Sequence, residues 1–189
     1  MINALKHESV IITESNEVFT MSTIHVYSDC SYKPDRAVAT VFDTWGEEFL
    51  ISNFYMTDSS VTAETLATLY ALRRVKHLLE IGVDEDFTIY TDCFAIAAFM
   101  DETLEMQPHN FQMSTRRTIT QVIKEKKELM AKYEVKINIL YINKKDCQAL
   151  KAVDNIAYRQ LIGKNLESRK KMSFGIFSHL PYVIGYNFI

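Results

Sequence analysis

TIHVYSDCSY, residues 23–32, combines the pattern of a β-strand with an acid, Asp29, that follows its apolar run. A second stretch of the same kind, DFTIYTDCF at residues 86–94, reaches Asp92 in the same way. β-Branched and aromatic residues in short apolar runs favour strands. An acid at a core-facing position is costly unless it is paired, protonated or bound to a cation. The two stretches therefore predict two strands that each deliver a functional carboxylate.

Two more acids lie within amphipathic helical patterns. In SSVTAETLATLYALRRV the acid is Glu64, and in QALKAVDNIAYRQLI it is Asp154. Residues spaced by three or four positions share one face of a helix. The stripe that contains Glu64 consists of Ala67, Ala71, Val75 and Leu78, and the stripe that contains Asp154 consists of Leu150, Ala157, Tyr158 and Leu161. Both acids are therefore predicted on the helix faces that pack against the sheet.

The order strand, helix, strand, helix predicts that the four acids form one divalent-metal cluster. Clustered carboxylates repel one another unless a hard cation neutralises them, and ligands that are all oxygen select Mg²⁺ or Mn²⁺. Two such ions can orient an attacking water and stabilise the leaving oxygen when a phosphodiester is cleaved. The chain has no Gly-rich phosphate loop, so nucleoside triphosphate chemistry has no support.

Composition indicates one domain of ordinary globular character. The chain has 189 residues, of which 48% are hydrophobic and 24% charged, and this suits a single domain with a sizeable core. The formal net charge of −3 argues against a protein that holds nucleic acid by overall attraction. It leaves room for a local basic face.

Cysteine usage and the chain ends predict a soluble, cytoplasmic protein. Cys30, Cys93 and Cys147 have no zinc-ligand spacing and are expected to be reduced thiols. The first residues lack the apolar core and cleavage site of a signal peptide. The apolar stretch at residues 174–189 is too short for a membrane span and is interrupted by Pro181.

Turn residues and periodicity divide the chain into an extension, a domain and a tail. Residues 1–22 are predicted as an N-terminal extension with a short strand at VIIT, residues 23–162 as the domain, and residues 163–189 as a basic and then apolar C-terminal tail. Within the domain we predict, in order, an antiparallel meander of three strands (TIHVYS, AVATVF and EEFLISNFYM), a helix that begins at 58–60 and is stopped by Gly82, a strand (FTIYT), a short helix (FAIAAFM), a helix at 114–132, a strand (VKINILYI) and a helix at 147–162. This order indicates an α/β domain with a mixed sheet.

Over residues 23–162 the sequence resembles the type 1 ribonuclease H family. The segments that carry the resemblance are YSDCSY, SSVTAETLATLYAL, IYTDC and AVDNIAYR. The resemblance implies a ribonuclease H-like fold, an α/β domain with a five-stranded mixed sheet, strands 1–3 antiparallel, and flanking helices. The family places its four acids on the first strand, the first helix, the end of the fourth strand and the final helix. The order of Asp29, Glu64, Asp92 and Asp154 fits that layout.

The resemblance also implies an activity and a cofactor. It implies endonucleolytic cleavage of the RNA strand of an RNA–DNA hybrid, which leaves a 3′ hydroxyl and a 5′ phosphate. Asp29, Glu64, Asp92 and Asp154 would coordinate two ions of Mg²⁺ or Mn²⁺. Glu64 would also be placed to sense a ribose 2′-hydroxyl, the group that distinguishes RNA from DNA.

The positions that contact substrate in the family differ in this chain. Many members carry a His in the loop before the last Asp, where this chain has Lys144 in INKKDCQ. The usual Asn pair before the helix Glu is replaced around Ser60, and Phe94 stands where a polar base-contacting residue is common. Basic residues within 114–132 match a part of the family that can form a substrate-binding handle. The candidate substrate-binding residues are Cys30, Ser31, Ser59, Ser60, Arg116, Arg117 and Lys144.

The favoured interpretation is a two-metal endoribonuclease that acts on RNA–DNA hybrids. One alternative is another nuclease of the same superfamily that acts on structured nucleic acid. The other is a catalytically weak module of the same fold that binds nucleic acid or a protein. The four acids favour an enzyme, while the altered contact positions keep the binding module open.

Overall fold

A computed structural model of the chain describes residues 9–12, 18–54, 59–100, 111–163 and 184–185. Strands β1 (Ser9–Ile12) and β2 (Val18–Met21) pair antiparallel as a separate two-stranded sheet. The predicted strand VIIT overlaps β1, whereas β2 was not predicted.

A mixed sheet forms the centre of the domain. Its strands are β3 (Thr23–Lys33), β4 (Arg36–Asp43), β5 (Phe49–Phe54), β6 (Asp86–Thr91), β7 (Ile137–Tyr141) and β8 (Ile184–Gly185), in the spatial order β7-β6-β3-β4-β5-β8. β3, β4 and β5 are antiparallel neighbours, while β6 runs parallel to both β3 and β7. The predicted five-stranded mixed sheet is therefore confirmed. The short β8, from within the predicted tail, adds a sixth strand at the free edge of β5.

Helices cover both faces of the sheet. They are α1 (Ser60–Glu80), α2 (Phe94–Met100), α3 (Met113–Tyr133) and α4 (Gln148–Leu161). Leu72 and Val75 of α1 and Val122 of α3 are fully buried in the larger core cluster with β3 and β6. Residues of α4, including Val153, pack in a second cluster on alternate side chains of β4 and β5. No helix in the described part of the chain is long and apolar enough to cross a membrane.

The first strand of the sheet is longer than predicted. The sequence suggested a strand over TIHVYS followed by a turn, but β3 continues to Lys33 and the turn to β4 contains only Pro34 and Asp35. Asp29 therefore lies inside β3, opposite Thr40 of β4. The parallel pairing of β3 with β6 ends at Tyr27, while its pairing with β4 continues, and the polar residues that directly follow Tyr27 stay buried.

The start of α1 is held by a side-chain cap. Ser59 Oγ accepts a hydrogen bond from the Thr62 backbone N–H at 3.1 Å, so the serine satisfies one of the free donors at the helix start. We expect Ser59→Ala to lower the free energy of unfolding by about 1 kcal/mol in urea denaturation. Ser60→Ala, one residue later at an exposed position, is the matched control. Equal effects of the two changes would contradict the capping role.

An ion pair ties α1 to the turn between β4 and β5. Arg74 Nε lies 2.9 Å from Asp43 Oδ2, and the exposed fractions of the two side chains are 8% and 0%. Asp43 Oδ1 also accepts hydrogen bonds from the backbone N–H groups of Trp45 and Gly46, at 3.2 and 2.7 Å. Because a buried carboxylate is stable only with such partners, this cluster fixes the turn and the middle of α1 together.

Candidate metal centre

The register of the parallel strands brings Asp29 and Asp92 to one edge of the sheet. The pairing of β3 with β6 reaches Tyr27 opposite Tyr90, and each acid lies two residues beyond its tyrosine. Side chains two residues apart in a strand point to the same face. The sequence can specify this match only through the hydrophobic pattern that sets the register.

Glu64 approaches the same edge from α1. The predicted stripe of Ala67, Ala71, Val75 and Leu78 is buried, with exposed fractions of 1% or less, and it seats the helix on the sheet. Glu64 lies near the start of that stripe. Carboxylate oxygens of Asp29, Glu64 and Asp92 all lie within 4.8 Å of one another. Two strands and one helix thus bring three acids into one cluster.

The oxygens of this cluster have too few partners of their own. The Asp29 side chain is fully buried. Glu64 Oε2 and Asp92 Oδ1 are buried as well, and within the described ranges neither has a hydrogen-bond partner outside the cluster of acids itself. Unpartnered buried carboxylate oxygens are costly, and an all-oxygen donor set suits a hard divalent cation. The residues present therefore fit Mg²⁺ or Mn²⁺.

Lys144 connects the fourth acid to the cluster. It opens a short 3₁₀ turn, Lys144–Asp146, that precedes α4. Its Nζ atom lies 2.8 Å from Asp29 Oδ2, 3.2 Å from Asp92 Oδ2 and 3.2 Å from Asp154 Oδ1. Asp154 therefore contacts Lys144, and it is not one of the three acids whose carboxylate oxygens lie within 4.8 Å of one another. The predicted face of Asp154 is only partly buried, since Tyr158 is 55% exposed.

Burial and mutual repulsion raise the proton affinity of the acids. Burial, and next the charge of Asp92, raises the pKa of Asp29 from 3.8 to about 7, although Lys144 opposes the rise. Burial, with the charges of Asp92 and Asp29, raises the pKa of Glu64 from 4.5 to about 8. Burial alone would lower the pKa of Lys144, but its contacts with Asp29, Asp92 and Asp154 raise it above its ordinary value. The cluster therefore strongly favours the binding of a proton or a cation.

These pKa values predict how the metal-free protein responds to pH. A carboxyl whose pKa is higher in the folded state binds more protons there, so stability is lost as the pH rises through the folded pKa. In EDTA the free energy of unfolding should therefore fall as the pH rises from about 4 to about 8. Urea denaturation across that range measures the slope.

Variants separate this slope from the titration of other groups. Asp29→Asn should reduce the loss of stability, because the amide cannot ionise. Asp84→Asn, at an exposed position before β6, should leave the slope unchanged. A steeper loss in Asp29→Asn than in the unmodified chain would show that the sign is wrong.

Burial disfavours the thiolate form of the cysteines beside the acids. It raises the pKa of the Cys93 thiol to about 12 and also raises the pKa of Cys30. The thiolate is the form that binds metals, so the carboxylates are the better ligands here. All three cysteines are free. Cys30 contributes instead through its backbone N–H, which donates to Asp29 Oδ1 at 2.6 Å.

The other predicted substrate contacts lie around the cluster in different environments. Ser31 is buried in β3, and Ser60 is exposed beside the Ser59 cap. The starts of α1 and α3 are joined by a hydrogen bond between the hydroxyls of Thr62 and Thr115 at 2.6 Å. Arg116 and Arg117 therefore lie near the Glu64 end of α1.

An aromatic pair next to the cluster was not predicted. Phe94, two residues after Asp92, is 56% exposed, and Tyr141 at the end of β7 is 46% exposed. Their rings meet edge to face, with centroids 5.7 Å apart. The sequence shows Phe94 as a departure from the family pattern, but the pairing with Tyr141 depends on the register of β6 and β7.

Comparison with solved structures identifies the fold. A metagenomic enzyme from compost, LC11-RNase H1, solved in complex with an RNA/DNA hybrid, is 15% identical, with a TM-score of 0.58 over 74% of this chain and 99% of that chain. RNase H1 from the archaeon Halobacterium salinarum is 14% identical, with a TM-score of 0.54 over 75% and 99% of the two chains. LC9-RNase H1 is 12% identical, with a TM-score of 0.54 over 78% and 75%. No protein-family model and no curated protein sequence matches the chain.

The chain therefore has the ribonuclease H-like fold, as the sequence predicted.

Proposed function

We propose that this protein is a metal-dependent endoribonuclease that cleaves the RNA strand of RNA–DNA hybrids. The observation that carries the proposal is the close cluster of Asp29, Glu64 and Asp92 at one edge of a ribonuclease H-like sheet. One protein of similar fold was solved with an RNA/DNA hybrid bound. Fold similarity alone does not define function, and the carboxylates with their unsatisfied buried oxygens supply the evidence from the site itself.

The chemistry proposed is hydrolysis of a phosphodiester. A water oxygen attacks phosphorus, the bond from phosphorus to the 3′ oxygen breaks, and that oxygen takes up a proton, which leaves a 3′ hydroxyl and a 5′ phosphate. Asp29, Glu64 and Asp92 would hold the ion, with Asp154 on the Lys144 side of the site. Bound Mg²⁺ or Mn²⁺ supplies Lewis acidity and neutralises charge on the phosphate. The family resemblance predicts two such ions.

Three features around the cluster suit a hybrid duplex. Glu64 lies on the side where α1 and α3 begin, so a ribose 2′-hydroxyl near it would distinguish RNA from DNA. Arg116 and Arg117, at the start of α3, would contact phosphates of the duplex. The exposed rings of Phe94 and Tyr141 offer a surface on which bases can stack.

A hybrid-binding module with weak catalysis is the second candidate. The observation that favours it is the position of Lys144, whose ammonium contacts three of the four acids. The enzyme remains the better candidate because Glu64 Oε2 and Asp92 Oδ1 have no hydrogen-bond partner outside the cluster of acids within the described ranges, so Lys144 does not satisfy them. A cytoplasmic location is part of the proposal, since free thiols suit a reducing compartment.

A cleavage assay with four substrates tests the proposed function. Purified protein is incubated with end-labelled RNA–DNA hybrid, single-stranded RNA, duplex RNA and duplex DNA, in Mg²⁺, Mn²⁺ or EDTA. We expect cleavage of the hybrid alone, in the RNA strand, and none in EDTA. No cleavage of any substrate in either metal would show that the enzyme proposal is wrong. Equal cleavage of single-stranded RNA would show that the substrate is wrong.

A further inference from the structure

The acids of the candidate metal centre surround two positions for a cation. The first is bounded by oxygens of Asp29, Glu64 and Asp92, which lie within 4.8 Å of one another. The second is bounded by Asp29 Oδ2, Asp92 Oδ2 and Asp154 Oδ1. Asp29 and Asp92 border both positions, whereas Glu64 and Asp154 each border one.

The ammonium group of Lys144 lies in the second position. Its three contacts, at 2.8, 3.2 and 3.2 Å, match the three donors that an ammonium carries. Within the described ranges no ion pair joins Lys144 to Glu64, so the lysine does not fill the first position. A divalent ion in the second position would need the same oxygens at about 2.1 Å, which leaves no room for the ammonium.

Two hydrogen bonds fix the backbone of the turn that contains Lys144. Asn143 Oδ1 accepts a hydrogen bond from the Lys145 N–H at 2.9 Å, and the Asn143 carbonyl accepts one from the Asp146 N–H at 2.9 Å. The turn runs directly into α4, which carries Asp154. The lysine and its acid partner are therefore placed by one continuous segment.

We propose that Lys144 is a built-in cation that takes the place of a second metal ion, so that the protein binds one divalent ion per chain. The inference rests on the proposed metal site and narrows it, because the family resemblance predicts two ions. Lys144 would thereby act in the site itself and not only as a substrate contact. Asp154 would serve to hold the lysine, and the divalent ion would belong to Asp29, Glu64 and Asp92.

Manganese binding tests this proposal independently of catalysis. Calorimetric titration with Mn²⁺ gives the number of ions bound, and electron paramagnetic resonance shows whether two ions lie close enough to couple, at about 4 Å. We expect one uncoupled ion in the unmodified protein. Lys144→Met, which keeps the length of the side chain and removes the charge, should bind two ions with a coupled signal. Lys145→Met, at the exposed neighbouring position, should behave like the unmodified protein.

The possible results distinguish a failure of the proposed role of Lys144 from a failure of the proposed metal site. Two ions in the unmodified protein, or one ion in a folded Lys144→Met, would overturn the role of Lys144 while leaving the metal site intact. No ion in the unmodified protein would overturn the metal site and the inference with it. Lys144→Arg keeps the positive charge and should bind one ion, so it tests the proposal even where Lys144→Met fails to fold. Two ions in Lys144→Arg would count against the proposal.

Discussion

Replacing Asp92 with Asn is expected to lower the rate of hybrid cleavage by at least about a thousandfold, which corresponds to several kcal/mol of metal-dependent stabilisation. The effect is expected to be large because Asp92, like Asp29, borders both cation positions, through the three-acid cluster and through Lys144. The amide keeps the shape of the side chain but removes its charge. Single-turnover cleavage of a labelled hybrid in Mg²⁺ measures the change.

Asp84→Asn is the matched control for this variant. Asp84 is exposed and precedes β6, whereas Asp92 follows the other end of the same strand. The control makes the same chemical change at the opposite edge of the sheet, so it should cleave at the unmodified rate. If Asp92→Asn retained more than about a tenth of the activity, a metal-dependent role for Asp92 would be excluded.

The second large effect is expected on stability. Arg74→Met should lower the free energy of unfolding by about 3–5 kcal/mol, because removing one partner leaves the fully buried Asp43 carboxylate without its counter-charge. The two backbone N–H groups that donate to Asp43 Oδ1 remain. Urea denaturation, with far-UV circular dichroism as the readout, measures the loss.

Lys76→Met separates the buried ion pair from the loss of a positive charge on α1. Lys76 is 53% exposed and pairs with Glu80 at 3.7 Å, one helical turn away. Such exposed pairs contribute about 0.5 kcal/mol or less. A loss in Arg74→Met no greater than that in Lys76→Met would show that the Asp43 pair does not stabilise the fold.

The fold could be predicted because its elements have strong local patterns. The stripe behind Glu64 is buried as its spacing predicted, and Ser59 caps the helix at the predicted place. Gly82, predicted to stop α1, has a φ of +91° just after the helix ends. The alternation of β-branched and aromatic residues located β3 and β6. Local propensity and hydrophobic period agree in these segments.

The geometry of the site depended on tertiary contacts that no local pattern encodes. Asp29 lies inside β3 because β4 continues beyond the parallel strand. Lys144 was predicted as a substrate contact from its place in a loop, but its position among the acids depends on how α4 packs on β3. The buried pair of Arg74 and Asp43 joins residues far apart in sequence. Charged residues of this kind carry no periodic signal.

The negative charge of the acid cluster is only partly neutralised within the chain. Desolvation raises the pKa of Asp29 and the pKa of Glu64. The ammonium group of Lys144 neutralises only part of the negative charge of the acids. The remaining negative charge lies on the side of Glu64, where the buried oxygens have no hydrogen-bond partner outside the cluster of acids within the described ranges. That side is where we place the divalent ion.

Anomalous diffraction from crystals soaked in Mn²⁺ is the decisive test of the metal site, because it locates the ion without relying on activity. We expect an anomalous peak in contact with carboxylate oxygens of Asp29, Glu64 and Asp92, and no such peak in Asp92→Asn crystals. Crystals of the unmodified protein that hold no manganese at these three acids, under conditions where the hybrid is cleaved, would contradict it.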